Sequence, residues 1–341
     1  MQGQTNIYGD VSYEKAGQLA AFMLTNAAAQ VFVGKLGDAR SIGKNKGRTI
    51  HARRYHVLPP ALAPLADAVT PAGLPVTFDD FEVSLEQYGS WVGVSDRTID
   101  THQDDVLNIE AGQCGDQISE TLEQIDLGVL KGGTNVGYAG GPSITARTSV
   151  ATDISLGDVR LAERTLLNDK AKYIRRIVTG TTKVGTEPIG PAFVALAHTD
   201  MKSDIRDISG FTPVEKYAKQ DALSMYEVGK VENTRFVCMA QDGLKPWLAS
   251  GASTTAYLSN GALASSNCDV YPVLFFGENA FVTVALAGRK RVTPKVRLPK
   301  PADGDELGQR GSVGWKLDHA TMLTAQLWMY RLESACKASP S

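Results

Sequence analysis

The sequence DVLNIEAGQCGDQISETLEQIDLGVLK, residues 105–131, has the clearest helical pattern in the chain. Its apolar and small side chains recur at spacings of three and four, which places them on one narrow stripe of an α-helix. The stripe consists of Leu107, Ala111, Cys114, Ile118, Leu122, Ile125 and Val129. Such a helix would be roughly 35 to 40 Å long at about 1.5 Å per residue, and Gly132 and Gly133 would end it. Its acidic residues are predicted to form an exposed side, made of Asp116, Glu120, Glu123 and Asp126.

A proline-rich segment, LPPALAPLADAVTPAGLP, covers residues 58–75 before this helix. Its five prolines exclude a regular helix and a central strand, so a long exposed loop is predicted. Strand-like sequences flank the loop at 48–57 and at 77–94, and the second alternates apolar and acidic residues. Together these features predict an extended β-hairpin with a proline-stiffened tip.

The two arms of the predicted hairpin carry opposite charges. The first arm has Arg48, Arg53 and Arg54, and the second has Asp79, Asp80, Glu82 and Glu86. Cross-strand pairing within one molecule could neutralise these charges, and contact with a neighbouring copy could do the same, so the sequence leaves both arrangements open. A third segment, 288–300, has six basic residues and no acid, and it includes Arg289, Lys290 and Arg291. We favour an interface between copies over DNA contact for this segment, and all of these residues are candidate intersubunit contacts.

The rest of the sequence predicts a mixed α and β fold. An Ala-rich helix is expected at 13–30 and a shorter helix at 156–169. From about 180 to 285, short apolar runs alternate with polar helical pieces, which indicates a second domain, and a long strand is expected at 320–333. The fold class is therefore α+β, and a length of 341 residues fits two domains.

Composition narrows the function classes. With 43% hydrophobic and 21% charged residues the chain is a folded globular protein, and its longest apolar stretch near the N-terminus, 19–24, is too short for a membrane span or a signal-peptide core. The net charge of -2 gives the chain as a whole no electrostatic attraction for nucleic acid. Four widely spaced cysteines predict neither a zinc site nor a disulfide framework, and reduced thiols are expected.

No catalytic, cofactor or metal site is predicted. The glycine-rich segment 131–141 follows a helix instead of a strand, which favours a helix terminator over a phosphate loop. The five histidines lack metal-ligand spacing, no G-x-S-x-G motif occurs, and Ser312 has no recognisable base. The carboxylates between 79 and 126 are interpreted as a solvated acidic surface and not as a paired acid and base. An α/β metabolic enzyme is therefore a distant alternative.

Several stretches, taken in order, resemble the major capsid proteins of tailed bacteriophages, in the branch similar to those of short-tailed podophages. They are RTIHARRYHVLP (48–59), LADAVTPAG (65–73), SLEQYGSWVGVSD (84–96), the long acidic helix, ALAHTDMKSDIRD (195–207), EVGKVENTRF (227–236), VYPVLFFGENAF (270–281) and LGQRGSVGWK (307–316). The resemblance spans about 45 to 335, and its specificity lies in the series and not in any single motif.

The resemblance implies a Hong Kong-type coat fold. Its parts would be an N-terminal arm at 1–45, an extended hairpin loop at 46–96 with its tip at about 58–75, a peripheral domain at 97–180 crossed by a spine helix at 104–131, an axial domain at 181–285, and a return to the peripheral domain with a C-terminal strand at 286–341. In the isolated subunit the arm and the hairpin are expected to be exposed and mobile.

The resemblance also implies a function. We expect a major capsid protein that self-assembles into pentamers and hexamers of an icosahedral head enclosing double-stranded DNA, with no cofactor. Expected partners are copies of itself, a portal, a separate scaffolding protein and weakly bound packaged DNA, while a decoration protein stays open. Assembly is expected in the host cytoplasm, with the virion capsid as the final location and no membrane involved.

Two further expectations follow from the same comparison of residues. Some related coats form a lysine to asparagine isopeptide bond, but Lys44, Asn45 and Lys46 match no such position, so no cross-link is predicted. The alternatives are a cellular nanocompartment shell with the same fold and a nucleic-acid-binding module that acts through residues 289–300.

Overall fold

The computed structural model describes residues 11–337, apart from positions 44, 57, 63, 65–69, 71, 180–184, 218–221, 255, 261, 264–266, 288–290 and 302–304. The helices of this part of the chain are α1 (Val11–Gln30), α2 (Asp96–Thr101), α3 (Val106–Lys131), α4 (Leu156–Asn168) and α5 (Lys202–Arg206). The helices predicted at 13–30, 105–131 and 156–169 are confirmed. A reciprocal capping box between Ser155 and Asp158 starts α4, because each residue's side chain accepts a hydrogen bond from the other's backbone N–H.

Strands form the larger part of the fold, with 37% strand against 29% helix, which confirms the α+β class. In chain order they are β1 (Asp38–Ile42), β2 (Thr49–Tyr55), β3 (Phe78–Ser84), β4 (Glu86–Ser95), β5 (Val136–Tyr138), β6 (Ile174–Thr179), β7 (Gly185–His198), β8 (Thr212–Pro213), β9 (Glu227–Val231), β10 (Thr234–Met239), β11 (Leu258–Ser259), β12 (Ala262–Leu263), β13 (Val270–Phe276), β14 (Phe281–Leu286), β15 (Val292–Arg297), β16 (Arg310–Leu323) and β17 (Met329–Ala335).

The first sheet is organised around the long strand β16. Strands β14 and β15 pair with successive parts of β16, β4 pairs with residues 310–319 on the edge opposite β15, and β1 adds to β14 in parallel. Helices α1 and α3 pack on one face of this sheet, and the side chains buried there include Leu19, Met23, Ile118 and Trp315. The expectation of an exposed arm is therefore wrong for the apolar face of α1, because these side chains complete the core of its own subunit.

The second sheet has the order β5-β17-β13-β7-β10-β9-β8, with β6 also paired to β7. All seven residues of β13 are buried, since both faces of the sheet are covered. Phe275 packs with the α4 and α5 side chains Val159 and Ile205 on one face. Phe276 packs with Leu127 and Leu130 of α3 on the other. This sheet is not confined to the 181–285 segment. Strands β5 and β6 precede the segment and β17 follows it, and all three belong to this sheet. Strand β14, at the end of the segment, belongs to the first sheet.

The extended hairpin consists of β2 and β3, paired antiparallel from Thr49 opposite Ser84 to Tyr55 opposite Phe78. The predicted strand at 77–94 is in fact two strands that meet at Leu85, which is 8% exposed. Leu85 packs beside Ile42 and Val284, and this inward-pointing side chain ends the hairpin stem. Beyond it, β4 belongs to the first sheet and not to the hairpin.

The long strand predicted at 320–333 is also two strands, and this prediction is wrong. β16 ends at Leu323 in the first sheet, a 3-10 turn covers Gln326–Trp328, and β17 begins at Met329 in the second sheet. β17 is buried on both faces, with six of its seven residues buried, so side-chain periodicity does not reveal the turn that separates it from β16.

Candidate assembly surfaces and buried polar clusters

The hairpin charges are largely paired across its own stem. Arg53 Nε lies 2.7 Å from Asp80 Oδ1, and His56 Nε2 lies 3.1 Å from Asp79 Oδ1. Arg48 Nη2 similarly lies 2.7 Å from Glu86 Oε1. Of the two arrangements that the sequence leaves open, pairing within one subunit is therefore present. These groups are exposed, so the pairs fix the register of the stem more than they stabilise the fold.

The stem of the hairpin contacts the body through Arg54. Its guanidinium lies over the Trp328 ring, 4.6 Å from the ring centroid, and Trp328 belongs to the turn between the two sheets. A groove beside this contact is lined by Arg40, Tyr55 and Asn279, among others. The stacked Arg54 therefore orients the hairpin relative to the body.

The outer part of the hairpin has exposed apolar side chains. Leu62 is 86% exposed, Leu74 58% and Val76 54%, and none of them belongs to a buried core cluster of the described residues. An apolar surface on an extended element is characteristic of contact with another molecule. The hairpin tip is therefore the first candidate assembly surface.

The outer face of the first sheet is the second candidate surface. Alternation along β4 and β16 directs Val94 and Trp315 toward α1 and α3, so Trp91 points away from them. Trp91 is 72% exposed and lies beside Gly93 and Gly314, where an added Cβ would come within 3.1 Å and 2.7 Å of its atoms. The shallow groove around it also includes Lys295 and Lys316.

The basic residues of segment 288–300 do not form a single described surface. Arg289 and Lys290 lie outside the described residues, while Arg291 points into the subunit. Arg291 Nη2 lies 2.9 Å from Nδ1 of His319, a residue that is completely buried. The described position of Arg291 therefore does not support an intersubunit contact, because its guanidinium faces the carboxylates of α3.

Those carboxylates belong to a buried polar cluster at the junction of α1, α3 and β16. Glu123 Oε1 accepts hydrogen bonds from the backbone N–H groups of Phe32, at 2.6 Å, and Val33, at 3.0 Å. Asp126 accepts from the Thr321 hydroxyl, and its Oδ1 lies 2.6 Å from His319 Nε2. Both acids are completely buried. The prediction that they form part of an exposed acidic side is therefore wrong.

Burial determines the chemistry of Glu123. Desolvation raises its pKa from 4.5 to about 7, against the two backbone hydrogen bonds, which lower the pKa. Glu123 Oε2, Asp126 Oδ2 and Arg291 Nε are buried, and none has a hydrogen-bond partner within the described ranges. The signal in the sequence was weak, since only the neighbouring Leu122, Leu127 and Leu130 indicate that this face of the helix is covered.

A second polar cluster holds the C-terminal end of α3. Glu333 is completely buried and receives two hydrogen bonds from Arg147, at 2.7 and 2.8 Å, and one from Arg331 at 3.0 Å. Arg147 stacks on Trp247 with 3.6 Å to the ring centroid. Arg331 also donates to the carbonyl of Gly133, 3.0 Å away, and to that of Lys131. The cluster thus joins the end of α3 to β17.

The part of the chain that the structure describes shows little that could support catalysis. No group of three or more His, Cys, Asp or Glu residues is placed to hold a metal ion within that part. The four cysteines are buried and unpaired, and burial raises the pKa of each thiol. His198 Nδ1, 3.1 Å from Asp200 Oδ2, lies at the start of a 3-10 turn. No described helix is long and apolar enough to cross a membrane.

Comparison with known proteins explains this architecture. Residues 78–324 match the sequence profile of a family described as phage capsid protein, and this match covers more than half of the chain. The chain belongs to the phage capsid protein family. The expected resemblance to phage major capsid proteins and the expected Hong Kong-type fold are confirmed.

Individual members of the family and of the fold are distant. The major capsid protein of Pseudomonas phage KPP21 is 22% identical over 272 residues, which cover 75% of this chain and 68% of the relative. The capsid of Ralstonia phage GP4 superposes with a TM-score of 0.67 at 14% identity, covering 92% of this phage capsid chain and 91% of the other. The SrpI encapsulin complex from Synechococcus elongatus superposes with a TM-score of 0.52 at 10% identity, covering 90% and 88%.

Proposed function

We propose that this phage capsid protein self-assembles into the pentamers and hexamers of an icosahedral head that encloses double-stranded DNA. The observation that carries the proposal is the extended hairpin, whose tip exposes Leu62, Leu74 and Val76 outside the core of its own subunit. A closed shell needs several separate contact patches on each copy. The hairpin tip and the Trp91 face supply two, and many modest contacts of this kind become strong together.

Negative-stain microscopy of the purified full-length chain tests this proposal. We expect closed, uniform shells, or rings of five and six subunits where shells do not close. A monodisperse monomer at high protein concentration would contradict self-assembly. Light scattering of the same sample measures the oligomeric mass and so distinguishes assembled shells or rings from a monomer.

The contents of the shell distinguish a virion from a nanocompartment. The similarity to an encapsulin supports a nanocompartment shell at the level of the fold alone. The family match supports a phage capsid. Particles purified from infected cells are expected to contain double-stranded DNA, detected by absorbance and nuclease treatment after disruption. A consistent protein cargo without DNA would instead support the nanocompartment.

The same proposal includes the partners and the absence of catalysis. We propose a portal and a separate scaffolding protein as assembly partners, a decoration protein as an optional one, and assembly in the host cytoplasm. The net charge of -2 supports weak, non-specific contact with packaged DNA, since a strongly basic wall would bind each phosphate and resist packing. No enzymatic role is proposed, because the family match and the curated relative are to phage capsid proteins.

A further inference from the structure

The carboxyl pair Glu123 and Asp126 lies where the N-terminal segment crosses the spine helix α3. The segment after α1 reaches α3 through the backbone N–H groups of Phe32 and Val33, and Glu123 accepts both hydrogen bonds. Phe32 and Val33 are themselves buried, at 3% and 0% exposure. Glu123 is therefore the buried polar contact of this segment with the spine helix, and the Gln30 side chain adds hydrogen bonds to Asp116 and Ser119 one turn earlier.

The charges that face Glu123 come from three directions. Asp126 lies one turn along α3, Arg291 precedes β15, and His319 lies on β16 between Arg291 and Asp126. The 32–34 segment contributes only backbone groups and Gly34, whose position lies close to both Asp126 and Arg291. One permanent positive charge, Arg291, thus faces two completely buried carboxyl groups. A proton on one carboxyl group brings these fixed charges into balance.

The carboxyl oxygens of this cluster include two that could carry the proton. Glu123 Oε2 and Asp126 Oδ2 are both buried, and neither has a hydrogen-bond partner in the described parts of the chain. The hydrogen bonds to Glu123 Oε1 offset only part of the cost of lost hydration for the ionised carboxylate, and protonation removes the remainder. Opening of the segment would return Glu123 to water and remove that cost.

We propose that this cluster is a proton-controlled latch, in which a proton held by Glu123 stabilises the docking of the α1 segment on the spine helix and loss of the proton makes opening of the segment more frequent. The latch is a property of the subunit itself and goes beyond the proposed function, because its operation does not depend on what the shell contains.

The direction of the effect follows from the pKa of Glu123. Desolvation raises it from 4.5 to about 7 in the docked state, so the docked state is most stable below about pH 4.5 and becomes less stable as the pH rises toward 7. Over that interval the equilibrium constant for opening is expected to rise by roughly tenfold to 300-fold, the upper figure corresponding to the full shift in pKa. Above about pH 7 no further rise is expected from this group.

Hydrogen–deuterium exchange of the full-length chain tests the latch. Exchange of the α1 amides is measured at about pH 5 and about pH 7.5, corrected for intrinsic rates, and compared with β13 in the same molecule. We expect wild-type opening to rise by roughly tenfold or more, and Glu123→Gln to change by less than about twofold, because the amide cannot ionise. The same rise in Glu123→Gln, or no rise in the wild type, would overturn the proposal.

A matched control and a second variant complete the test. Glu163 on α4 is also buried, has a raised pKa because of desolvation, and accepts from Asn233 N–H and the Thr234 hydroxyl. Glu163→Gln should leave the pH dependence of α1 exchange as in the wild type. If Glu123→Gln does not fold, Asp126→Asn serves instead, since it removes a negative charge that raises the pKa of Glu123. The rise in α1 opening with pH should then be smaller and should end at a lower pH. An unchanged pH dependence of α1 exchange would contradict the latch.

Discussion

At the scale of single residues, Glu333 shows how a buried charge is tolerated. Its carboxylate receives hydrogen bonds from Arg147 and Arg331 and has no exposure to solvent. The negative charge of Glu333 offsets the positive charges of Arg147 and Arg331. Removal of the acid would leave two guanidinium groups close together at the end of α3. Such clusters are sensitive to the loss of one member.

Glu333→Ala is expected to destabilise the chain by about 3 to 5 kcal/mol, since it leaves Arg147 and Arg331 without their shared acceptor. Urea unfolding of the unassembled variant measures the change in the free energy of unfolding. The control is Glu232→Ala, which breaks the exposed 2.6 Å pair between Arg160 and Glu232 and should leave stability unchanged within error. Equal effects of the two substitutions would show that the Glu333 cluster is not a structural centre.

Buried acids are also where the sequence was least informative. Periodicity correctly predicted the burial of Leu107, Ile118 and Leu122, but it placed Glu123 and Asp126 on the solvent side. The reason is physical: near its C-terminal end α3 leaves the first sheet's core and enters that of the second, so a different face is covered. Only the neighbouring chain segments decide which acids become buried there.

At the scale of elements, α1 behaves as a core helix and not as a free arm. Its buried side chains Leu19, Met23 and Ala27 pack against α3 and β15. An Ala-rich composition predicted the helix but not its partner, because composition does not specify which surface an apolar stripe meets.

Met23→Ala should destabilise the chain by about 2 to 5 kcal/mol, because Met23 is completely buried and its removal leaves a cavity. Phe22→Ala on the same helix is the control, since Phe22 is 49% exposed and its loss should affect stability much less. Thermal melting of both variants provides the comparison. If the two melting temperatures fall equally, the packing of α1 on its own subunit is not what stabilises the chain.

The hairpin tip is predicted to act in assembly and not in folding. Replacing Leu62 and Leu74 together by Ser should abolish or slow shell formation while leaving the melting temperature of the subunit unchanged, because both side chains lie outside the core clusters. The matched control replaces Met225 and Leu248, which are 75% and 59% exposed elsewhere on the body.

Sedimentation of the assembled fraction distinguishes the two pairs of substitutions. Shells that form normally from the hairpin variant, or are lost equally in the control, would exclude a specific contact at the tip. A fall in melting temperature would instead assign the tip residues to the stability of the subunit.

At the scale of the whole molecule, no lysine to asparagine cross-link between subunits is predicted, and three of the buried acids already have hydrogen-bond donors of their own subunit. Glu333 is held by two arginines, Glu163 by Asn233 N–H and the Thr234 hydroxyl, and Glu123 by two backbone N–H groups. Lys44, one of the residues weighed for a cross-link, lies outside the described residues. We therefore expect assembled particles to dissociate on denaturing gels into one species of 36.5 kDa. A ladder of covalent multimers would contradict this prediction.

The sequence predicts the local elements of this molecule better than it predicts how the strands are divided between the two sheets. The fold class, the three main helices and the two arms of the hairpin followed from periodicity and proline placement, since these depend on local sequence. The division of strands at Leu85 and after Leu323 did not, because it depends on which of two sheets each strand joins. The predicted domain limits remain predictions, and β17 lies beside β13 despite the long chain segment between them.

The environment of Trp91 provides a natural optical probe. The chain has four tryptophans, of which Trp315 is buried, while Trp247 and Trp328 are covered by stacked arginines. The indole of Trp91 alone is largely in water, at 72% exposure. Its fluorescence should shift to shorter wavelength when another surface excludes that water, so shell closure could be followed in real time without any added dye.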